Sequence, residues 1–427
     1  MITLGCPKNT ADTESVLAKL PGNIILTNVD MAEIVLLNTC AFLKTARDEV
    51  YEKLDHLEGK KVILLGCMAG LLKEDEFKAY PQLYAIVSGV HYPEISDIVK
   101  SVDICKKIYA VSPEPIKYVE MEGKFPITNP SYAYIKIAEG CNNACSFCLI
   151  PRLKGVYRSR PLKSIIDEAK YLIKTGVKEI ILVAQDCGYY GVDLYRRRML
   201  PELLRKLSSL KGDFWIRVLY VYPERIDDKL LKVMASSPKI CHYLDIPLQH
   251  GDPKILKSMR RPFDINRTLE KILYIREMIP DITLRTSIIV GFPGETDKDF
   301  SNFLQFLKKI QFDHVGVFEY SREKGTDAYN LPNQVSDATK KLRRHKAMLL
   351  QQKISFERNK SLIGLTQRIL IEQYDKTKKA YIGRNMRFAP EIDGQIIVKS
   401  KSSIKLNQFY DVIIVKAEPY DLNASIT

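Results

Sequence analysis

The sequence predicts an α/β protein in three parts: an N-terminal parallel-sheet α/β domain over residues 1–122, a central (βα)6 part-barrel over 131–360, and a small C-terminal OB-like β-barrel over 361–427. Three observations carry this. Aliphatic runs alternate with helical stretches twice, on either side of an aperiodic stretch containing Gly, Pro and Asn. The second alternation has six strand-helix units. After about residue 360 the helices stop while short strands continue. A chain of 427 residues is also too long for one ordinary core.

The first alternation runs "ITLGC", "ADTESVLAKL", "AEIVLLNTC", "FLKTARDEVYEKLDHLE", "KVILLGC", "LLKEDEFKAY" and "YAIVSGV". This βαβ pattern implies a parallel sheet with right-handed crossovers and every strand C-terminus on one edge. Cys6, Cys40 and Cys67 fall at those predicted ends, spaced by about one βαβ unit, so a single edge can gather all three thiols. The stretch "EMEGKFPITNPSY" reads as a linker near residues 120–132. Alternation resumes at "YAYIKIAEGC" and continues through "EIILVAQD", "WIRVLYVYP", "HYLDIPLQH" and "LRTSIIVGFPGE" to "HVGVFEYS", with helical stretches between. A parallel barrel presents functional side chains at its strand C-termini, where Gln185, Asp186, Tyr222, Gln249, His250, Gly294 and Glu295 collect. A basic helical stretch from Ala338 to Lys360 then leads to "QRILIEQY", "KAYIGRN", "QIIVKS" and "YDVIIVKAEPYDL", short strands with Gly, Asn and Pro turns.

The net charge of +14 is uneven: residues 1–130 hold 14 basic and 18 acidic side chains, residues 131–360 hold 41 and 26, and residues 361–427 hold 10 and 7. The excess lies in the middle segment, in "YRRRM", "MRRPF" and "KKLRRHK". Each run reads first as a solvated face, and together they permit an acidic or ribonucleoprotein partner without requiring one. No apolar run approaches a membrane span and no signal-peptide pattern begins at Met1, so a soluble cytoplasmic protein with no membrane partner is expected. Nine unevenly spaced cysteines in a large chain point to reduced thiols or metal ligands rather than disulfides.

Cys141, Cys145 and Cys148 form C-x-x-x-C-x-x-C directly after a predicted strand. Thiolates so spaced can converge on one soft metal centre, and three ligands leave a coordination position open for chemistry. A zinc ribbon would need a second C-x-x-C or a histidine pair nearby, and the sequence has neither. With Phe147 before the third cysteine, the motif resembles the signature of radical S-adenosylmethionine (SAM) enzymes. The resemblance implies a 4Fe-4S cluster on Cys141, Cys145 and Cys148 whose open iron chelates SAM, with one electron cleaving SAM to methionine and a 5′-deoxyadenosyl radical.

Taken singly, Cys6, Cys40 and Cys67 each read as a buried small hydrophobe. As a set of three strand-end thiols they resemble the N-terminal domain of methylthiotransferases, which implies a second, auxiliary 4Fe-4S cluster, while "IGRNMRFAPEIDGQIIV" resembles a TRAM domain. The motifs "LGCPKN", "NTCAF", "AYIKIAEGCNNACSFCLIPRLKG", "ILVAQD", "DIPLQHGDPKILKSMRR" and "RTSIIVGFPGET" are most similar to the RimO type of radical SAM methylthiotransferase. That resemblance implies methylthiolation of the β-carbon of an aspartate in small-subunit ribosomal protein number twelve, with the ribosomal protein or subunit as substrate and an external electron donor. SAM is used twice, once to methylate sulfur held at the auxiliary cluster and once as radical source. Phe147, Gln185, Gln249, Gly291 and Glu295 are the expected SAM-contact residues, although each strand-end residue could equally cap or hydrogen-bond its own strand. No catalytic side chain is expected beyond the clusters, and Cys105, Cys187 and Cys241 carry no role. Two alternatives stay open: a tRNA-adenosine methylthiotransferase, and a non-catalytic iron-sulfur ribosome-binding factor.

Overall fold

The computed structural model describes residues 1–22, 27–113, 117–121, 123–127, 129–261, 264–400 and 402–426. Glu122 and Thr128 of the expected linker, Pro262 and Phe263 of "MRRPF", and Thr427 lie outside the described residues.

The N-terminal sheet is parallel, in the order β1 (Ile2–Thr3), β2 (Ile34–Thr39), β3 (Lys61–Gly66), β4 (Leu83–Val87), β5 (Ile108–Ala110). Its central strands are aliphatic at nearly every position because both faces are covered. Val35, Leu37 and Leu64 pack with Val50 and Leu54 of the helix Lys44–Asp55. Leu36, Ile63 and Leu65 pack with Val16 and with Ile98 and Val102 of the helix Ile95–Asp103. The three-residue β5 has too short an apolar run to be seen in sequence; pairing with β4 creates it.

The central domain contains β6 (Tyr132–Lys136), a two-stranded ribbon of β7 (Ala138–Glu139) and β8 (Arg158–Ser159), then β9 (Glu179–Val183), β10 (Trp215–Val218), β11 (Tyr243–Asp245), β12 (Thr283–Val290) and β13 (His314–Glu319). Parallel pairs β6–β9–β10 and β11–β12–β13 are joined by the bridge between Ile216 and Ile240, giving a six-stranded part-barrel. Ile135, Ile180, Leu182, Ile216 and Leu284 pack outward against the helices. The helix Asp337–Lys360, capped where the Ser336 hydroxyl accepts from Thr339 N–H at 3.3 Å, leads to the last domain. There β14 (Thr366–Asp375), β15 (Ala380–Arg384), β16 (Ile396–Lys399), β17 (Gln408–Ala417) and β18 (Leu422–Ile426) close in the order β14-β15-β16-β18-β17. The run "YDVIIVKAEPYDL" is split: β17 ends at Ala417 and the chain turns through Pro419 into β18.

The barrel is covered at both ends. At the strand starts, the fully buried Glu179 pairs with Arg217 at 2.6 Å and with Arg384 of the C-terminal domain at 2.7 Å. Beside it the Trp215 ring lies 4.6 Å from that of Phe409, and Tyr243 donates to Asp393 at 2.6 Å. Toward the strand ends, the helix Pro7–Ala18 lies along β6, with Ala11 against Tyr132 and Tyr134 and Asp12 accepting from Lys136. The expected linker is pinned at this junction: buried Lys124 donates to the Tyr134 carbonyl at 2.7 Å and pairs with Glu14 at 3.1 Å.

Candidate active site

The first set of thiols sits on the C-terminal edge of the N-terminal sheet. Cys6 caps the helix Pro7–Ala18, Cys40 follows β2, and Cys67 follows β3 and opens the short turn Cys67–Gly70. The strand-helix junctions are tight. Gly66 has a left-handed φ of 85°, and a Cβ there would collide with the Thr39 carbonyl. Asn9 donates to the carbonyls of Leu4 (2.8 Å) and Thr39 (3.0 Å), and Asn38 donates to that of Asn9 (2.8 Å), so the three junctions are tied together. Burial pushes the Cys67 thiol up to about 12; Lys154 opposes this, and the nearby Cys6 and Cys40 add to it. Burial raises the Cys40 thiol as well.

The second set lies in the loop between β7 and β8, whose pairing holds the loop ends together. Three donors face its sulfurs: Asn143 N–H to Cys141 Sγ at 3.4 Å, Ile150 N–H to Cys148 Sγ at 3.4 Å, and the Arg261 guanidinium to Cys145 Sγ at 3.5 Å. Burial pushes the Cys148 thiol up to about 12, with Cys145 and Cys141 close enough to add to the shift. The expectation of a solvated face at "MRRPF" is corrected here. Arg260 is exposed and pairs with Asp327, but Arg261 is buried, stacked 3.9 Å over Tyr222 and turned onto the sulfur.

These donors fit an iron-sulfur centre. Each set offers three soft ligands, none in a disulfide, and the N–H groups point at sulfurs that become negative when they bind iron. Among the described residues no group of three His, Cys, Asp or Glu side chains closes on a single-ion site. Thiol ligands bind iron as thiolates, so ligand ionisation and loading are coupled.

The two loop systems meet through one apolar core. Leu149 and Leu153, from the short helix after Cys148, pack into the N-terminal core with Cys67 and Met68. Between them Glu139 accepts from Lys136 at 2.7 Å and from Gln185 at 2.7 Å, and lies 4.0 Å from Lys154. Asp12, Tyr92, Tyr118, Lys136, Glu139 and Lys154 line an adjoining polar cavity of about 50 Å³.

The other expected residues divide. Gln185 lies two residues beyond β9 and leaves Oε1 buried without a partner. Gln249 adopts a left-handed φ of 79° while its backbone bridges to β12 beside Ile288. Phe147 packs edge-on against Phe292, ring centroids 6.5 Å apart. Gly291 has a left-handed φ of 72°, with the Lys340 stem where a Cβ would stand. Glu295 turns inward: its carboxylate accepts from Gly291 and Phe292 N–H and lies 3.3 Å from Arg343, so in this structure it braces its own turn. Sequence reasoning missed Asn143, Lys154, Glu139 and Arg261, whose roles depend on partners far along the chain.

Comparison with known proteins decides the family. Residues 135–307 match the Radical SAM superfamily, residues 363–427 the TRAM domain, and residues 1–88 the Uncharacterized protein family UPF0004. A protein of Gloeobacter violaceus named "Ribosomal protein uS12 methylthiotransferase RimO" is 43% identical over 98% of this chain and 96% of its own length. The chain belongs to the RimO-type methylthiotransferase family. A member from Acetivibrio thermocellus with the same name is 39% identical over 99% of this chain and 96% of its own. Among solved structures, the radical SAM methyltransferase TsrM from Kitasatospora setae shares the fold at a TM-score of 0.51 and 14% identity, over 68% of this chain and 63% of that one. The six cysteines of this RimO-type chain thus occupy two loop systems, one on the edge of the N-terminal parallel sheet and one between the antiparallel strands β7 and β8.

Proposed function

We propose that this chain methylthiolates the β-carbon of an aspartate in ribosomal protein uS12, holding one 4Fe-4S cluster on Cys6, Cys40 and Cys67 and a second on Cys141, Cys145 and Cys148. The observation that supports the reading is that the two cysteine-bearing loops are packed together, Leu149 after Cys148 and Met68 after Cys67 lying in one core. When bound, the clusters and SAM supply electron transfer, radical generation and the methylthio group. The chain's own residues position and insulate. Asn143 N–H, Ile150 N–H and Arg261 stabilise negative sulfur at the second set. Gln185, held by Glu139, offers its unpaired Oε1 to SAM, and Phe147, packed on Phe292, offers an apolar wall. The domain over the barrel mouth excludes water from the gap.

The substrate is taken as the ribosomal protein or the subunit that carries it, in the cytoplasm, with reducing equivalents from an external donor. No helix among the described residues is long and apolar enough to cross a membrane. The test is incubation of the reconstituted, reduced protein with SAM and either uS12 or bulk tRNA, followed by mass spectrometry. Addition of one SCH2 unit to the aspartate supports the proposal. Modification of tRNA with none of uS12 would replace it with the tRNA-adenosine reading, and absence of 5′-deoxyadenosine would leave a non-catalytic iron-sulfur factor.

A further inference from the structure

Lys8 is oddly placed. It lies in the first turn of the helix Pro7–Ala18, two residues after Cys6, where the helix dipole disfavours a cation and no acidic side chain shares the turn. Its side chain leans back toward the helix N-terminus, as helical side chains do, and so crosses to the barrel. There Nζ stands 4.7 Å from the centre of the Tyr220 ring. That ring is a fixed platform. Tyr220 ends the β10 segment at a left-handed φ of 59°; its N–H donates to Asp245 at 3.3 Å and its carbonyl accepts from Cys187 N–H at 2.9 Å.

Among the described residues no carboxylate comes within ion-pair distance of Lys8. Its neighbours at the junction all have one: Lys124 pairs with Glu14 at 3.1 Å, Lys136 with Asp12 and Glu139, and Lys154 with Glu139 at 4.0 Å. Lys8 lies within electrostatic reach of Cys6, Cys67 and Glu139, but Glu139 is already committed to Lys136 and Gln185. A half-buried ammonium between two domains, oriented by an aromatic face and with no carboxylate of its own among the described residues, is placed to receive an anionic group.

Given the function proposed above, on which this step rests, the geometry points to Lys8 as the residue that binds the side-chain carboxylate of the substrate aspartate. The carboxylate is one bond from the β-carbon that gains the methylthio group. An ammonium fixed beside Cys6 and Cys67 and over the Tyr220 ring therefore sets where that carbon stands relative to the first set of thiols. It also makes the site selective for aspartate over asparagine, because a neutral amide would leave the lysine unpaired.

The test uses the reconstituted holoprotein and a uS12-derived peptide carrying either the target aspartate or asparagine at that position. Peptide binding is read by fluorescence anisotropy, modification by mass spectrometry, and cluster content by iron analysis. In the wild type the aspartate peptide binds at least ten-fold more tightly than the asparagine peptide. Lys8→Met is expected to keep wild-type iron content, to lose at least ten-fold in Kd and KM for the aspartate peptide, and to bind the two peptides within two-fold of each other. Lys8→Arg, which keeps the charge, restores most of the preference. An unchanged aspartate preference in Lys8→Met overturns the assignment, and so does loss of iron in Lys8→Met, which would tie Lys8 to the thiol site instead. Wild-type protein that leaves the aspartate peptide unmodified overturns the underlying function, and this assignment with it.

Discussion

Of the ion pairs that join the barrel to the C-terminal domain, a buried one at Glu179 and an exposed one at Asp213 should differ in strength by several-fold. Glu179 is fully buried and bonds Arg217 at 2.6 Å and Arg384 at 2.7 Å, whereas Asp213 and Arg368 meet at 2.5 Å with side chains 58% and 45% exposed. At an effective dielectric constant of ~20 each buried contact is worth about 4 kcal/mol of attraction, set against desolvation of three charges. Glu179→Gln keeps the shape but leaves the buried Arg217 guanidinium without a carboxylate, while Arg384 keeps Glu372 at 2.6 Å, so about 3–5 kcal/mol should be lost. Asp213→Asn should cost less than about 1 kcal/mol. Trp215 is the only tryptophan in the chain and stacks on Phe409 at this interface, so its fluorescence during urea denaturation reports the junction directly. Burial pushes the Glu179 carboxyl up, and Arg217 and Arg384 outweigh it, leaving the pKa below its usual 4.5. A depressed carboxylate pKa contributes stability above the unfolded value and loses it as pH falls through the folded one. The gap between wild type and Glu179→Gln should therefore be full at neutral pH and shrink below about 4.5. Equal shifts for the two variants, or a gap that widens in acid, would refute the reasoning.

Other expectations concern the site and its cover. Cys145→Ala should abolish 5′-deoxyadenosine formation, while Cys40→Ala should keep some cleavage but stop sulfur insertion; equal loss of both in the Cys40 variant argues against separate roles. Gly66→Ala forces a Cβ into the Thr39 carbonyl at a φ of 85°, and should cost about 1–3 kcal/mol and lower iron bound by the first set, read by iron analysis and thermal melting. Glu323 accepts from Lys44 N–H at 2.7 Å and from Arg47 at 2.5 Å across the domain boundary, so Glu323→Ala should speed amide exchange in the helix Lys44–Asp55 and cost about 1.5–3 kcal/mol. Arg261→Met removes a donor and a positive charge from Cys145 Sγ, and should make that cluster harder to reduce in a redox titration.

The fold is legible where local pattern suffices. The aliphatic runs at Ile34–Thr39 and Lys61–Gly66, the six-unit alternation and the helix Asp337–Lys360 follow from periodicity. The placement of Cys40 and Cys67 immediately after their strands follows from the same pattern. What periodicity lacks is tertiary pairing. β5 and β18 exist because a neighbour strand is present, and Asp12 meets Lys136 across 124 positions of sequence. Arg260 and Arg261 look alike in a charge run, yet one faces solvent and the other a thiol. Glu295 could be placed at a strand end but not oriented there; Arg343, from a helix 48 residues on, turns its carboxylate inward.

Cys148 is followed at once by Leu149, and Cys67 by Met68, and both followers lie in one hydrophobic core. The spacing of the two thiol loops is thus a property of apolar packing, not of a hinge or a linker. That core acts as a ruler: its side-chain volumes set the distance between the two thiol loops. Trimming Leu149 or Leu153 by a few methyl groups would change that distance without touching a cysteine.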